Sequence, residues 1–156
     1  MTIVDFKKGV DYIGICVTFF CHDGTGRFVM NKRGVRCRDE HGCWDFGSGA
    51  LKLGETLEQA LQREVNDEYC ADIIRTEYLG YREALRNQAQ PPTHWIAFDF
   101  AVLVNPATVA NGEPHVLDEV RWCTRDTIPE PLHSQLPVFF NNYQQQLERF
   151  MRHAAL

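Results

Sequence analysis

At 156 residues the chain has the length of one ordinary domain, and 44% apolar residues with 12% aromatics supply a core of that size. A formal charge of −5 excludes a general basic surface for nucleic acid, so no DNA is indicated and an anionic ligand needs local cations. No apolar run approaches the roughly 20 residues of a membrane span, and the polar start MTIVDFKKGVDY is unlike a secretory signal, so a cytoplasmic location and no membrane partner are expected.

Tyr12 to Cys21 (YIGICVTFFC) is a β-branched and aromatic run, followed by the turn cluster His22 to Gly26 and a second run, Arg27 to Asn31. Together they predict a β-hairpin. Lys32 to Gly42 is charged and without a period, which reads as a loop before a short strand at Trp44-Asp45-Phe46. Gly47-Ser48-Gly49 is expected to break the chain. A helix is predicted over Leu57 to Glu68, because Thr56 with Gln59 three residues later matches a capping box. Strands follow at Thr76 to Leu85 and at His94 to Val104, the strongest β signal in the chain, with polar loops over Arg86 to Thr93 and Asn105 to Leu117. A strand at Val120 to Thr124 and a helix at Leu136 to Met151, with apolar residues at helical spacing, complete the order. Interleaved strands and helices without repeats or a linker predict a single α/β or α+β domain over 1–156.

Cys16, Cys21, Cys37, Cys43, Cys70 and Cys123 read as reduced thiols in a chain of this kind. Cys37, His41 and Cys43 lack the C-x₂-C spacing of a zinc knuckle and have no fourth ligand nearby. Among the tryptophans, Trp44, Trp95 and Trp122 are expected in the core, with base stacking as the competing role.

The central helix carries an unusual charge pattern. At about 100° per residue with Glu64 at zero, Asp67 falls at about −60° and Glu68 at about +40°, on the face of Leu57, Ala60 and Leu61. Three carboxylates thus continue the apolar stripe at the helix C-terminus, where like charges repel and the backbone dipole disfavours anions. Hard divalent ions such as Mg²⁺ or Mn²⁺, which take carboxylate oxygens, would offset that cost. A calcium loop is the poorer fit, since its ligands gather in a loop.

These residues resemble the Nudix hydrolase family, whose box reads Gly, five residues, Glu, seven residues, then Arg-Glu-U-x-Glu-Glu-x-Gly-U, with U a bulky aliphatic. Gly49, Glu55, Arg63, Glu64, Val65 and Glu68 match at those intervals, while Asp67 replaces a glutamate, Cys70 the closing glycine and Ala71 the last aliphatic. The resemblance implies an α/β/α sandwich around a mixed sheet. It implies a metal-dependent hydrolase that cleaves the pyrophosphate bond of a nucleoside diphosphate linked to another moiety, using Mg²⁺ or Mn²⁺ to neutralise charge and activate water. By position, Glu64, Asp67 and Glu68 would be metal ligands and the Gly49 carbonyl a further one. Glu64 or Glu68 would take the proton from the attacking water, Arg63 would orient the carboxylates, and Glu55 would brace the loop. Glu119 stands where relatives place an additional acidic ligand or base, and Lys32 and Arg33 are candidates for phosphate oxygens. The motifs that mark relatives acting on ADP-ribose, NADH or coenzyme A are absent, which favours nucleoside triphosphates or nucleotide sugars. A homodimer stays open, and the alternative reading is a Nudix-fold nucleotide-binding module in which the Asp67 and Cys70 departures have weakened or removed hydrolysis.

Overall fold

The computed structural model describes residues 4–152. In chain order the elements are β1 (Gly14–His22), β2 (Phe28–Arg33), β3 (Trp44–Asp45), β4 (Gly47–Ala50), α1 (Leu57–Tyr69), β5 (Ile73–Arg86), β6 (Thr93–Val104), β7 (Leu117–Cys123) and α2 (Leu136–Met151), with a 3₁₀ turn at Arg125–Thr127 before α2.

Strand β1 organises the sheet because both of its faces are apolar. Val17, Phe19 and Cys21 project to one side, where they meet Ala60, Leu61, Val65 and Tyr69 of α1. Phe20 projects to the other, where it joins Phe139, Tyr143, Leu147 and Phe150 of α2. Burying each such side chain is worth about 1.5–3 kcal/mol, so a strand that is apolar on both faces recruits a helix layer to each. The sheet runs β3-β2-β1-β6-β5, with β4 also paired to β1 and β7 to β2. Among the strand pairs of the described residues only β1–β6 is parallel, from Gly14 opposite Trp95 to His22 opposite Leu103, so the sheet is mixed and the architecture is an α/β/α sandwich.

The predicted hairpin forms, with the Asp23 carboxylate accepting from the Thr25 and Arg27 amides at 2.8 and 3.2 Å across the turn. The glycine run expected to break the chain is instead β4, with Gly47 opposite Phe19 and Gly49 opposite Val17. Crowding explains these glycines better than a turn does. A Cβ at 47 would overlap the Phe19 ring, and one at 49 would overlap the Glu64 carboxylate.

Asp99, the one carboxylate within the apolar β6, is fully buried and takes two hydrogen bonds from Arg82 of β5, at 2.7 and 3.0 Å. The Tyr143 hydroxyl of α2 donates to the same carboxylate at 2.8 Å, and Arg82 donates onward to Gln135 at 3.2 Å. This network fixes the start of α2 over β5 and β6. Asp99→Ala would leave the Arg82 charge without its partner in apolar surroundings, and it is expected to lower unfolding free energy by about 3–5 kcal/mol in urea denaturation. Tyr143→Phe, which removes one hydrogen bond, is expected to cost about 1 kcal/mol in the same measurement.

Candidate active site

Helix α1 is set at both ends by backbone hydrogen bonding. At its start the Thr56 hydroxyl accepts from the Gln59 amide at 3.1 Å and the Gln59 side chain accepts from the Thr56 amide at 2.9 Å, as the capping box predicts. At its end Cys70 takes the left-handed conformation, φ 53° and ψ 16°, and its N–H donates to the Asn66 carbonyl. The loop between β6 and β7 then crosses the helix end: the Ala110 amide donates to the Tyr69 carbonyl and the Gly112 amide to the Glu68 carbonyl, each at 2.9 Å. Orphan carbonyls of the last turn are thereby satisfied. The same crossing brings Glu113 to the carboxylates of the helix, where its charge raises the pKa of both Glu64 and Glu68.

Glu64 and Glu68 face the interior differently. Glu68 is buried, and its Oε2 has no hydrogen-bond partner among the described residues. Burial first, then the charges of Glu64, Glu113 and Asp45, push its carboxyl well above the usual carboxylate range. Glu64 is half-buried against Gly49, and burial raises its carboxyl against the opposing pull of the Arg63 hydrogen bond. Asp67 is exposed, so the three carboxylates do not share the inward face predicted for them. The buried stripe is Ala60, Leu61, Val65, Glu68 and Tyr69, centred about 60° from Glu64 and about 120° from Asp67. The sequence wheel placed the stripe too close to Glu64 because it left out Val65 and Tyr69, at about +100° and +140°.

Arg63 holds this corner together. It donates from Nε and Nη2 to the two oxygens of Glu55 at 2.5 and 2.9 Å, from Nη1 to Glu64 Oε1, and from Nη2 to the Ala50 carbonyl at 3.1 Å. Glu55 also accepts from the Lys52 amide at 3.0 Å, which ties the loop after β4 to the helix. These bonds hold the Glu55 carboxyl down at about 2, with the Arg63 hydrogen bond the largest cause.

Two adjoining hollows open near the carboxylates. One, of about 240 Å³, is lined by Glu68, Glu113, Asn31 and Ser48 together with Arg33, Arg36 and Arg38. The second, of about 300 Å³, lies on the α2 side of the sheet over Cys16, Thr18, Ala84 and Ala97, and is bounded by Trp95, Asp45, Phe46, His133, Gln135, Arg82 and Arg86. Arg33, Arg38, Phe46 and Ser48 line both, so the hollows adjoin along these residues and together make up a cleft with an acidic and an aromatic end. Its cations differ in availability. Arg33 and Arg86 are bonded to Asp39, and Arg86 also to Glu40, whereas Arg36 and Arg38 are exposed.

Asp39, Glu40 and His133 also lie close enough together to suggest a metal site. Their acceptors are already taken, since Arg33 and Arg86 bond Asp39, while Arg86, the Ser134 amide and hydroxyl, and His133 at 2.7 Å bond Glu40. That group closes the loop after β2 over the cleft.

Of the predicted site residues, Gly49, Arg63, Glu64 and Glu68 gather at the acidic corner, and Arg33 lines the cleft. Lys32 and Glu119 do not join them. They stand opposite each other in the β2–β7 ladder, with Glu119 bonded to Arg121 at 2.7 Å on the side of the sheet that Cys123 shares with α2. The acidic residue that does reach the corner, Glu113, lies in a polar loop with no pattern of its own. Trp44 is buried and Trp122 packs against the α1 core, as expected for core residues, but Trp95 lines the cleft.

A NUDIX domain family model matches residues 13–143. Solved structures with a similar fold include the MutT NUDIX hydrolase from Burkholderia pseudomallei, at 21% identity over 84% of this chain and 98% of that one, TM-score 0.74. The MutT protein from Methanosarcina mazei Go1 aligns at 21% identity over 86% and 94%, TM-score 0.72. A NUDIX hydrolase from Nitrosomonas europaea aligns at 15% identity over 86% and 90%, TM-score 0.65.

Two outcomes follow from the local geometry. Cys70→Gly relieves a left-handed backbone position without removing a packed side chain, and it is expected to raise stability by about 1 kcal/mol in urea denaturation. Because the Glu55 carboxyl is depressed to about 2 in the folded chain, its bond to Arg63 stabilises the fold above the unfolded carboxylate value and is lost as pH falls through the folded one. The difference in urea midpoint between the native chain and Glu55→Gln should therefore be full at neutral pH and shrink as pH is lowered toward about 2.

Proposed function

The chain belongs to the Nudix family and as such is a pyrophosphohydrolase, and we propose that it cleaves nucleoside triphosphates or nucleotide sugars with Mg²⁺ or Mn²⁺ held by Glu64, Glu68 and Glu113. The observation that carries this reading is Glu68 Oε2, a buried carboxylate oxygen without a hydrogen-bond partner among the described residues, beside two further carboxylates. Leaving one oxygen of a buried carboxylate unpaired is costly, and hard divalent cations suit an all-oxygen donor set of this kind. A bound cation would supply charge neutralisation for the pyrophosphate and acidify a water.

The chain's own groups account for the remaining requirements. Arg63 fixes Glu64 in place by donating to its Oε1, so that carboxylate keeps one orientation against Gly49. Glu64 or Glu68 receives the proton that leaves the attacking water, since both carboxylates stand at the acidic corner. Arg36 and Arg38, exposed at the rim, would meet phosphate oxygens, a role for which Lys32 and Arg33 are the sequence candidates. Asp67, being exposed, contributes charge near Glu64 without facing the interior. The reading treats residues 1–156 as one cytoplasmic Nudix domain; no helix among the described residues is long and apolar enough to cross a membrane.

Phosphate or pyrophosphate release from a panel of nucleoside triphosphates and nucleotide sugars should appear with Mg²⁺ or Mn²⁺ and disappear with a chelator. Glu68→Gln is expected to lower kcat about 10²–10⁴-fold while leaving the fold intact. Turnover that persists in that variant, or in the chelator, would contradict the assignment.

A further inference from the structure

Trp95 and Asp45 make the aromatic end of the cleft unlike a simple phosphate groove. Gly9 and Gly14 crowd the Trp95 ring so closely that a Cβ at either position would overlap it. This holds the indole as a fixed wall of the 300 Å³ hollow. The Arg38 guanidinium lies over the ring at 4.8 Å; among the described residues its only carboxylate contact is to Asp39 at 3.6 Å, and half of its side chain is exposed, so a ring that stacks on the indole has a single weakly held side chain to displace. The floor beneath is made of small side chains, Cys16, Thr18, Ala84 and Ala97. A volume of this size, at the lower end of small-molecule sites, has room for one ring system beside the wall.

Asp45 lines the same hollow and is nearly buried. Its Oδ1 accepts from the Phe46 amide at 2.8 Å, whereas Oδ2 lies 3.6 Å from Arg33 Nη1 and 3.9 Å from His133 Nδ1, beyond hydrogen-bond reach of both. His133 cannot supply the missing donor. Its Nδ1 accepts from the Gln135 amide at 3.2 Å and its Nε2 faces Glu40 at 2.7 Å, which places the ring proton on Nε2. Asp45 Oδ2 is thus an acceptor with open lone pairs at the edge of a flat aromatic hollow.

We propose that this hollow is the base subsite of the cleft, with Trp95 as its stacking face and Asp45 as the acceptor that selects a guanine edge over adenine. Guanine offers adjacent imino and amino donors to one carboxylate oxygen, whereas adenine offers one amino donor next to a ring nitrogen whose lone pair repels the carboxylate. The inference rests on the nucleotide reading above and deepens it by naming the base.

Nucleoside monophosphates test it without hydrolysis, since they contain no pyrophosphate bond. Calorimetric titration of the native chain should show GMP binding at least about tenfold more tightly than AMP, with IMP, which keeps the imino but lacks the amino donor, in between. Asp45→Asn, close in shape, should reduce the GMP-to-AMP ratio to below about threefold, and Trp95→Leu should weaken both ligands by about tenfold without changing their ratio. Equal binding of GMP and AMP by the native chain, a ratio unchanged in Asp45→Asn, or no binding of any monophosphate would overturn the proposal. The GMP preference with no turnover of any triphosphate or sugar would instead sink the hydrolytic substrate assignment and leave the base subsite standing.

Discussion

The Arg63 guanidinium is the joint on which the site depends. One planar group reaches the Ala50 carbonyl at the end of β4, both oxygens of Glu55 in the following loop, and Glu64 one residue along its own helix. Lysine could not substitute, because a single ammonium has no fork with which to meet a bidentate carboxylate and two further acceptors in fixed directions. By tying strand, loop and helix together, Arg63 sets how closely α1 approaches β4. That distance is why position 49 must lack a side chain, since the Glu64 carboxylate occupies the space a Cβ would need. The spacing of glycine, glutamate and arginine in the sequence is therefore the record of one packing problem.

Charge is distributed unevenly along the cleft. At the acidic corner Glu64, Glu68 and Glu113 lie together, Arg63 answers only Glu64, and Glu68 keeps an unpaired oxygen. In the neighbouring hollow Arg82 is matched by Asp99, and Arg86 and Arg33 by Asp39, so its charges are largely spent on holding the walls. An anionic ligand is thus repelled by the corner unless a cation sits there, while in the far hollow Asp45 and Arg38 are the charges left without a close ion-pair partner among the described residues. The division follows from pairing, since both regions are rich in ionisable groups.

Much of this was legible because local rules and tertiary packing agree. The capping box, the two-faced apolar run of β1 and the helical spacing of α2 each point to the element observed. Asp99 carried a signal that the strand pattern alone did not use: a lone carboxylate inside HWIAFDFAVLV has to find a buried partner, and Arg82 on the adjacent strand is that partner. What stayed hidden is whatever depends on where loops cross. Glu113 and Glu119 are both acidic residues near the end of a polar stretch, and only the backbone bonds of Ala110 and Gly112 to the end of α1 bring the first to the site. Gly47 to Gly49 misled because glycine marks both turns and close approaches, and sequence carries no measure of what approaches. Asp67 misled because a wheel gives relative angles, while the orientation of the wheel is set by packing against the sheet.

The two departures from the Nudix pattern are of different kinds once their positions are known. Asp67 lies about 120° from the centre of the buried stripe and is exposed, so a side chain one methylene shorter costs nothing in packing. Glu113, which arrives from another element, lines the hollow beside Glu68 where Asp67 does not. Cys70 keeps the left-handed conformation that a glycine would adopt freely, and the strain of roughly 1 kcal/mol is tolerated because the structure fixes that turn from outside. Its own N–H is bonded to Asn66, and the loop at Ala110 and Gly112 caps the carbonyls just before it. A relaxed turn that let this loop shift would move Glu113 as well, so the helix end and the third carboxylate are held by the same set of backbone bonds. Conservation of the box as a string of letters is therefore a weaker requirement than conservation of what its positions hold in place.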